Sequence, residues 1–179
     1  MSGVAWQLLR QPFAPAEVRF KVQRVLGENK GATIVSYIDA RSVIERLEAA
    51  APADWQDSYL EVQGGVLCRL TLGQVARCDV GWAADRSTDA GFKGCYSDAF
   101  KRAAVKFGVG LFLYAMDTPK LWVGDGPAKL RTDKKGRPML DEDTLGYLRK
   151  GYEGWLARDG IRRFGVPAAH FDVPFEAAA

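Results

Sequence analysis

The sequence predicts an α+β protein: an antiparallel β-sheet meander with a long helix packed on one face, ordered β-β-α-β-β-β-α, with a further C-terminal helix. Three observations predict it. Glu17 to Leu26 alternates apolar and polar residues as a half-buried strand does. Trp55 to Trp82 holds three strand-like runs joined by glycine turns. Gly94 to Tyr114 carries the 3.6-residue period of a helix with one buried face.

The elements follow in order. Trp6, Leu8, Leu9 and Phe13 precede or flank Pro12 and Pro15, so Met1 to Ala16 reads as a short helix or arm ended by proline. In EVRFKVQRVL, Val18, Phe20 and Val22 face one way and Arg19, Lys21 and Gln23 the other, a strand with a basic open face. Gly27 to Gly31 has hairpin-turn chemistry, and Ala32 to Tyr37 returns as its partner. Asp39 is placed to N-cap a helix over Ala40 to Ala50, with Val43, Ile44 and Leu47 at helical spacing and Ala51-Pro52 ending it.

Trp55 to Gln63, Val66 to Leu72 and Gln74 to Trp82 are the meander strands, and Ala83 to Gly91 is a polar loop. In the long helix Tyr96, Phe100, Ala103, Ala104, Phe107 and Leu111 gather within roughly a third of the circumference. Lys101, Arg102 and Lys106 fall outside that stripe, with Asp98 placed to pair with Lys101 or Arg102. Gly108 and Gly110 weaken the helix end. Leu121 to Val123 reads as one short strand, Gly124 to Pro138 as flexible, Leu140 to Arg158 as an amphipathic helix, and the end beyond it as irregular. The expected division is a core over 1–125 and a linker with helical extension over 126–179.

Composition narrows the function. The 179 residues are 47% hydrophobic and 26% charged, enough for one domain with a buried core. A net charge of +3 is mild, so a polyanion partner must be argued from clustering. Cys68, Cys78 and Cys95 make no C-x-x-C pair and read as reduced thiols. No leader-like or membrane-spanning run is seen, and the expected location is the cytoplasm.

Catalysis finds little support. The one histidine, His170, lacks any nucleophile motif around it. Asp79, Asp85 and Asp89 are the acids that a metal-dependent nuclease would use, yet they show neither a regular spacing nor a catalytic lysine. Gly108-Val109-Gly110 follows a helix instead of opening one, so it is no phosphate loop. Cys68 and Cys78 lie five positions either side of Gly73 and can face each other across a hairpin, but two thiolates alone make a poor zinc site. The sequence therefore reads as a binding protein with no catalytic residues, metal or cofactor. Taken alone, Lys101, Arg102 and Lys106 are a solvated helix face.

Three segments change that. YIDARSVIERLEAA (Tyr37 to Ala50), CDVGWA (Cys78 to Ala83) and SDAFKRAAVKFGVGLFLY (Ser97 to Tyr114) resemble the annealing core of the Rad fifty-two superfamily of single-strand annealing proteins. The resemblance is to its bacterial and phage branch, of the DNA damage response protein A (DdrA) type, and covers about Glu17 to Val123. It implies an ATP-independent single-stranded DNA-binding and strand-annealing protein of recombination and double-strand break repair, assembled as a homo-oligomeric ring. The family's inner DNA groove implies roles for Lys101, Arg102 and Lys106, for the aromatic Tyr37, and for a hairpin base, Arg24 or Lys21. A second, outer DNA site is implied around Arg77, Arg86 and Lys93. The other functions weighed are protection of 3′ single-strand ends without strong annealing and, more remotely, the metal-dependent nuclease. The physics of annealing suits the first: cations hold the backbone by releasing counterions, which leaves bases free to pair.

Overall fold

The computed structural model describes residues 3–82 and 87–167. The elements are α1 (Trp6–Arg10), β1 (Arg19–Leu26), β2 (Gly31–Tyr37), α2 (Ala40–Ala50), β3 (Trp55–Val62), β4 (Gly65–Leu72), β5 (Val75–Gly81), α3 (Asp89–Val105), β6 (Lys120–Val123), β7 (Lys129–Thr132), β8 (Pro138–Met139), α4 (Glu142–Trp155) and α5 (Ile161–Phe164). The β-β-α-β-β-β-α order is present. The strands do not form one sheet, however. They divide into a five-stranded sheet, β1-β2-β6-β7-β8, and a three-stranded one, β3-β4-β5. The second is the predicted antiparallel meander. The first recruits β6, which pairs antiparallel with β2, and β7, which runs parallel to β6.

Local signals act as the sequence dictates. Asp39 caps α2, its Oδ1 accepting the Ser42 N–H at 3.0 Å. The β4–β5 turn is the two-residue loop Gly73-Gln74, so Leu72 pairs with Val75 and Cys68 with Asp79. Cys78 instead pairs with Arg69, one step out of phase. Cys68 is therefore buried and Cys78 exposed on the opposite face, and the two thiols do not face each other. Burial pushes the Cys68 thiol up to about 12, with Asp57 adding to the shift.

The long helix begins earlier than its apolar period suggests. Thr88 caps it, its Oγ1 accepting from the Gly91 N–H at 3.1 Å, so residues 89–91 of the expected loop belong to the first turn of α3, while residues 83–86 lie outside the described residues. It ends at Val105, before Phe107, which is buried in the following turn; Leu111 is exposed, not part of the inner stripe. Gly108 and Gly110 have φ of 106° and 74°, the left-handed region where glycine is free of strain. Gly81 lets α3 lie directly on β5: a Cβ there would stand 2.2 Å from the Ala99 nitrogen.

Two further expectations change. Arg46 points inward at 2% exposure, while Ile44 on the same helix is exposed. The Arg46 guanidinium donates to the carbonyls of Leu8, Gln11 and Pro12 and stacks 4.0 Å from the Phe13 ring centre. Burial lowers its pKa to about 10. The stretch 124–138 contains β7 and part of β8, and Leu130, Leu148, Tyr152 and Trp155 belong to the same buried cluster as Phe13 and Phe112. Tyr152 donates its hydroxyl to the Phe13 carbonyl at 2.6 Å, and α4 gives way at Leu156–Gly160 to a π-turn. No helix among the described residues is long and apolar enough to cross a membrane. His170 lies outside them.

Candidate nucleic-acid interface

Lys101 and Arg102 of α3 and Lys106, its C-cap, do not form one stripe. Successive helix positions turn by 100°, so Lys101 leaves on a different side from Arg102 and Lys106. Lys101 turns toward the β1–β2 hairpin. Its Nζ stands 5.9 Å from the ring centre of Tyr37, the last residue of β2, and the Lys21 Nζ stands 5.2 Å from the same ring. One aromatic ring thus joins a cation of the helix to a cation of the hairpin. Burial lowers the Lys101 pKa; Asp98 and Asp39 oppose that shift, and the Lys21 charge adds to it. Among the described residues Lys101 has no ion pair.

Arg102 and Lys106 both turn toward β5. Arg102 Nε lies 3.2 Å from Asp79 Oδ1, and Lys106 Nζ lies 3.2 Å from Asp79 Oδ2. Lys106 also donates to the Cys78 carbonyl. Burial raises the Asp79 pKa, but the Val80 N–H, Lys106 and Arg102 outweigh it and hold the carboxyl below its ordinary value. Asp98, expected to pair with Lys101 or Arg102, accepts the Trp82 N–H at 3.3 Å and reaches Lys101 only through space. Asp79 has both oxygens engaged by cations, Asp85 lies outside the described residues, and among the described residues no group of three potential metal ligands is found.

The open face of the first sheet extends the cationic surface. The register sets Arg19 opposite Tyr37, Lys21 opposite Val35 and, past a bulge, Arg24 opposite Thr33. It sets Lys120 opposite Thr33, Trp122 opposite Gly31 and Lys129 beside Trp122. Arg19, Lys21, Arg24, Lys120, Lys129 and Arg131 therefore share one face, and Ala32, Ile34, Leu121 and Leu130 line the buried one. β1, β2, β6 and β7 contain no Asp or Glu. At the borders Arg19 pairs with Asp39, and Arg131 with Asp125 and Asp141.

The Rad52/22 family of double-strand break repair proteins matches residues 4–125. The chain belongs to this family. Two curated relatives, each named single-stranded DNA-binding protein DdrA, are similar to it. That of Deinococcus radiodurans is 40% identical over 138 residues, 75% of this chain and 64% of the relative. That of Deinococcus deserti is 38% identical over 125 residues, 68% of this chain and 61% of the relative. The chain thus spans less than two thirds of either relative's length. No solved structure matches it.

Within this Rad52/22-family chain the expected site residues disperse. Lys21, Tyr37 and Lys101 come together. Arg102 and Lys106 meet at Asp79. Arg24 is exposed on the sheet face, farther along the hairpin. Lys93 is exposed two turns before Lys101 on α3, and the Arg77 guanidinium sits 5.3 Å from the Phe107 ring centre. Arg86 lies outside the described residues. Sequence reading placed Arg19 on this face but did not bring Lys120, Trp122 and Lys129 to it. The signal was available in the acid-free alternation of KLWV and KLRT, but not the pairing that adds those strands to the hairpin.

Proposed function

We propose that this chain binds single-stranded DNA along the surface running from α3 to the open face of the first sheet. On this reading it anneals complementary strands without ATP in recombination and double-strand break repair. The observation that carries the reading is the Lys21–Tyr37–Lys101 cluster, in which a half-buried cation without an ion pair among the described residues is continuous with an acid-free cationic sheet face. Such a surface takes phosphates without reading sequence and leaves base edges free. Family membership and the DdrA relatives support the same partner. A single subunit offers few phosphate contacts, so the reading includes a homo-oligomeric ring that repeats the site and binds by avidity. It involves no catalytic residue and no cofactor, and it acts in the cytoplasm.

A second reading is protection of 3′ single-strand ends with weak annealing, favoured by the DdrA relatives being named for binding alone. Pairing of two complementary labelled strands, followed with and without protein and without ATP, separates the two. Acceleration supports annealing. Binding without acceleration, together with resistance of a 3′ tail to exonuclease, selects end protection. Magnesium-dependent loss of labelled strand would overturn both in favour of the nuclease.

A further inference from the structure

Trp122 is out of place as a core residue. It is 51% exposed on β6, yet its ring covers Gly31 of the neighbouring strand: a Cβ on Gly31 would stand 2.7 Å from the Trp122 Cε3. The indole therefore lies close over Gly31 while about half of the residue stays exposed. Its surroundings are cationic. Lys129 is its neighbour on β7, Lys120 lies two residues along β6 on the same face, and Arg24 pairs opposite Thr33, the partner of Lys120. Among the described residues none of Arg24, Lys120 and Lys129 has an ion pair. A half-exposed aromatic side chain ringed by free cations, in strands without an acid, is the chemistry of a nucleobase seat with flanking phosphate contacts.

Its position fits the same strand. Tyr37 and Gly31 are the two ends of β2, six residues and so roughly 20 Å apart. The track thus starts at Lys101 and Tyr37 and ends at Trp122. We propose that Trp122 is a base-stacking platform at that far end: it holds one unpaired base of single-stranded DNA on its exposed side while Arg24, Lys120 and Lys129 take the adjacent phosphates. The assignment rests on the single-strand-binding reading and adds to it a contact to a base, where the α3 groove contacts phosphates only. A base held there is withheld from pairing, so the platform anchors the strand while the groove presents it.

The test uses the full-length chain and a fluorescent oligo(dT) 20-mer, with an abasic backbone of the same length as second probe. The wild-type protein is expected to bind the base-bearing strand more tightly than the abasic one. Trp122→Leu weakens oligo(dT) binding by about fivefold to a hundredfold, the range for one stacked base, and leaves abasic binding unchanged. Trp122→Phe, which keeps a ring, retains most of the affinity. Neither substitution changes the salt slope, whereas Lys120→Ala with Lys129→Ala lowers it by about 0.7 per lost phosphate contact. Unchanged oligo(dT) affinity in Trp122→Leu overturns the platform while leaving strand binding standing. Equal losses on both probes, or a change of oligomer mass by light scattering, overturn it in favour of a packing role. Failure of the wild-type protein to bind either probe overturns the single-strand-binding reading itself.

Discussion

Asp79→Asn is the sharpest perturbation of the proposed groove, because one carboxylate restrains two of its cations, Arg102 and Lys106. Arg102 Nε and Lys106 Nζ are each 3.2 Å from it, so on the proposed reading Asp79 competes with a strand phosphate for both. The substitution keeps the side chain's shape and removes one negative charge. A phosphate on the far side of either cation lies roughly 6 Å from the carboxylate, and two unit charges at that distance in water repel by about 0.7 kcal/mol. Loss of that repulsion strengthens binding by roughly threefold, and more where the groove excludes water. The stability cost is small, since Arg102 and Lys106 are half exposed and such pairs contribute about 0–1 kcal/mol each. Fluorescence anisotropy with a labelled 30-mer over a series of salt concentrations measures the change, with a thermal melt as control. Tighter binding is expected in Asp79→Asn, and little or none of the gain in an Arg102→Ala, Lys106→Ala background. Weaker binding with an intact fold would refute competition and make Asp79 a residue that positions the cations for the strand.

Three further predictions concern stability and pH. Arg46→Ala removes the donor to three backbone carbonyls and a ring contact, so it destabilises the fold by about 3 kcal/mol in a urea melt, and Arg46→Lys recovers only part of that. Because burial lowers the Lys101 pKa, its charge is lost at a lower pH than an ordinary lysine's; strand affinity therefore falls as pH rises through the alkaline range, and Lys101→Arg flattens that fall. Asp39 is held below the ordinary carboxylate value of 3.8, by the Ser42 N–H before all else, and Asp79 is also held below it. Their stabilisation is present above that value and lost as pH falls through the folded-state pKa. Acid melts therefore show a shallower loss below about pH 4 in the Asp39→Asn, Asp79→Asn protein.

What the sequence made legible is what local chemistry determines. The Asp39 cap, the Ala40–Ala50 helix, the glycine turns of the meander and the β1–β2 hairpin each depend on residues a few positions apart, and each is present. What it hid depends on distant partners. Nothing near Lys120 or Lys129 says that their strands extend the hairpin sheet, so the single sheet expected from the meander became two. Arg46 is three residues from Val43, on the buried side, but its partners are carbonyls of α1 and the turn after it, with no side-chain signature. The basic helix residues were legible as cations, while their division was not: the acid that takes Arg102 and Lys106 stands 23 residues from Arg102, on another element. The Cys68–Cys78 expectation failed on a single residue of register, which in a strand exchanges the two faces.

The most direct test of the central claim is an equilibrium titration of a labelled single-stranded 30-mer, at stepped salt, with the wild-type protein and with Lys101→Ala, Arg102→Ala. The wild type is expected to bind with an affinity that falls linearly in log salt, at about 0.7 of slope per phosphate neutralised. The double variant is expected to keep its fold and oligomer mass and to lose binding at moderate salt. A double variant that binds like the wild type, with the same slope, would contradict the account and return these cations to being a solvated surface.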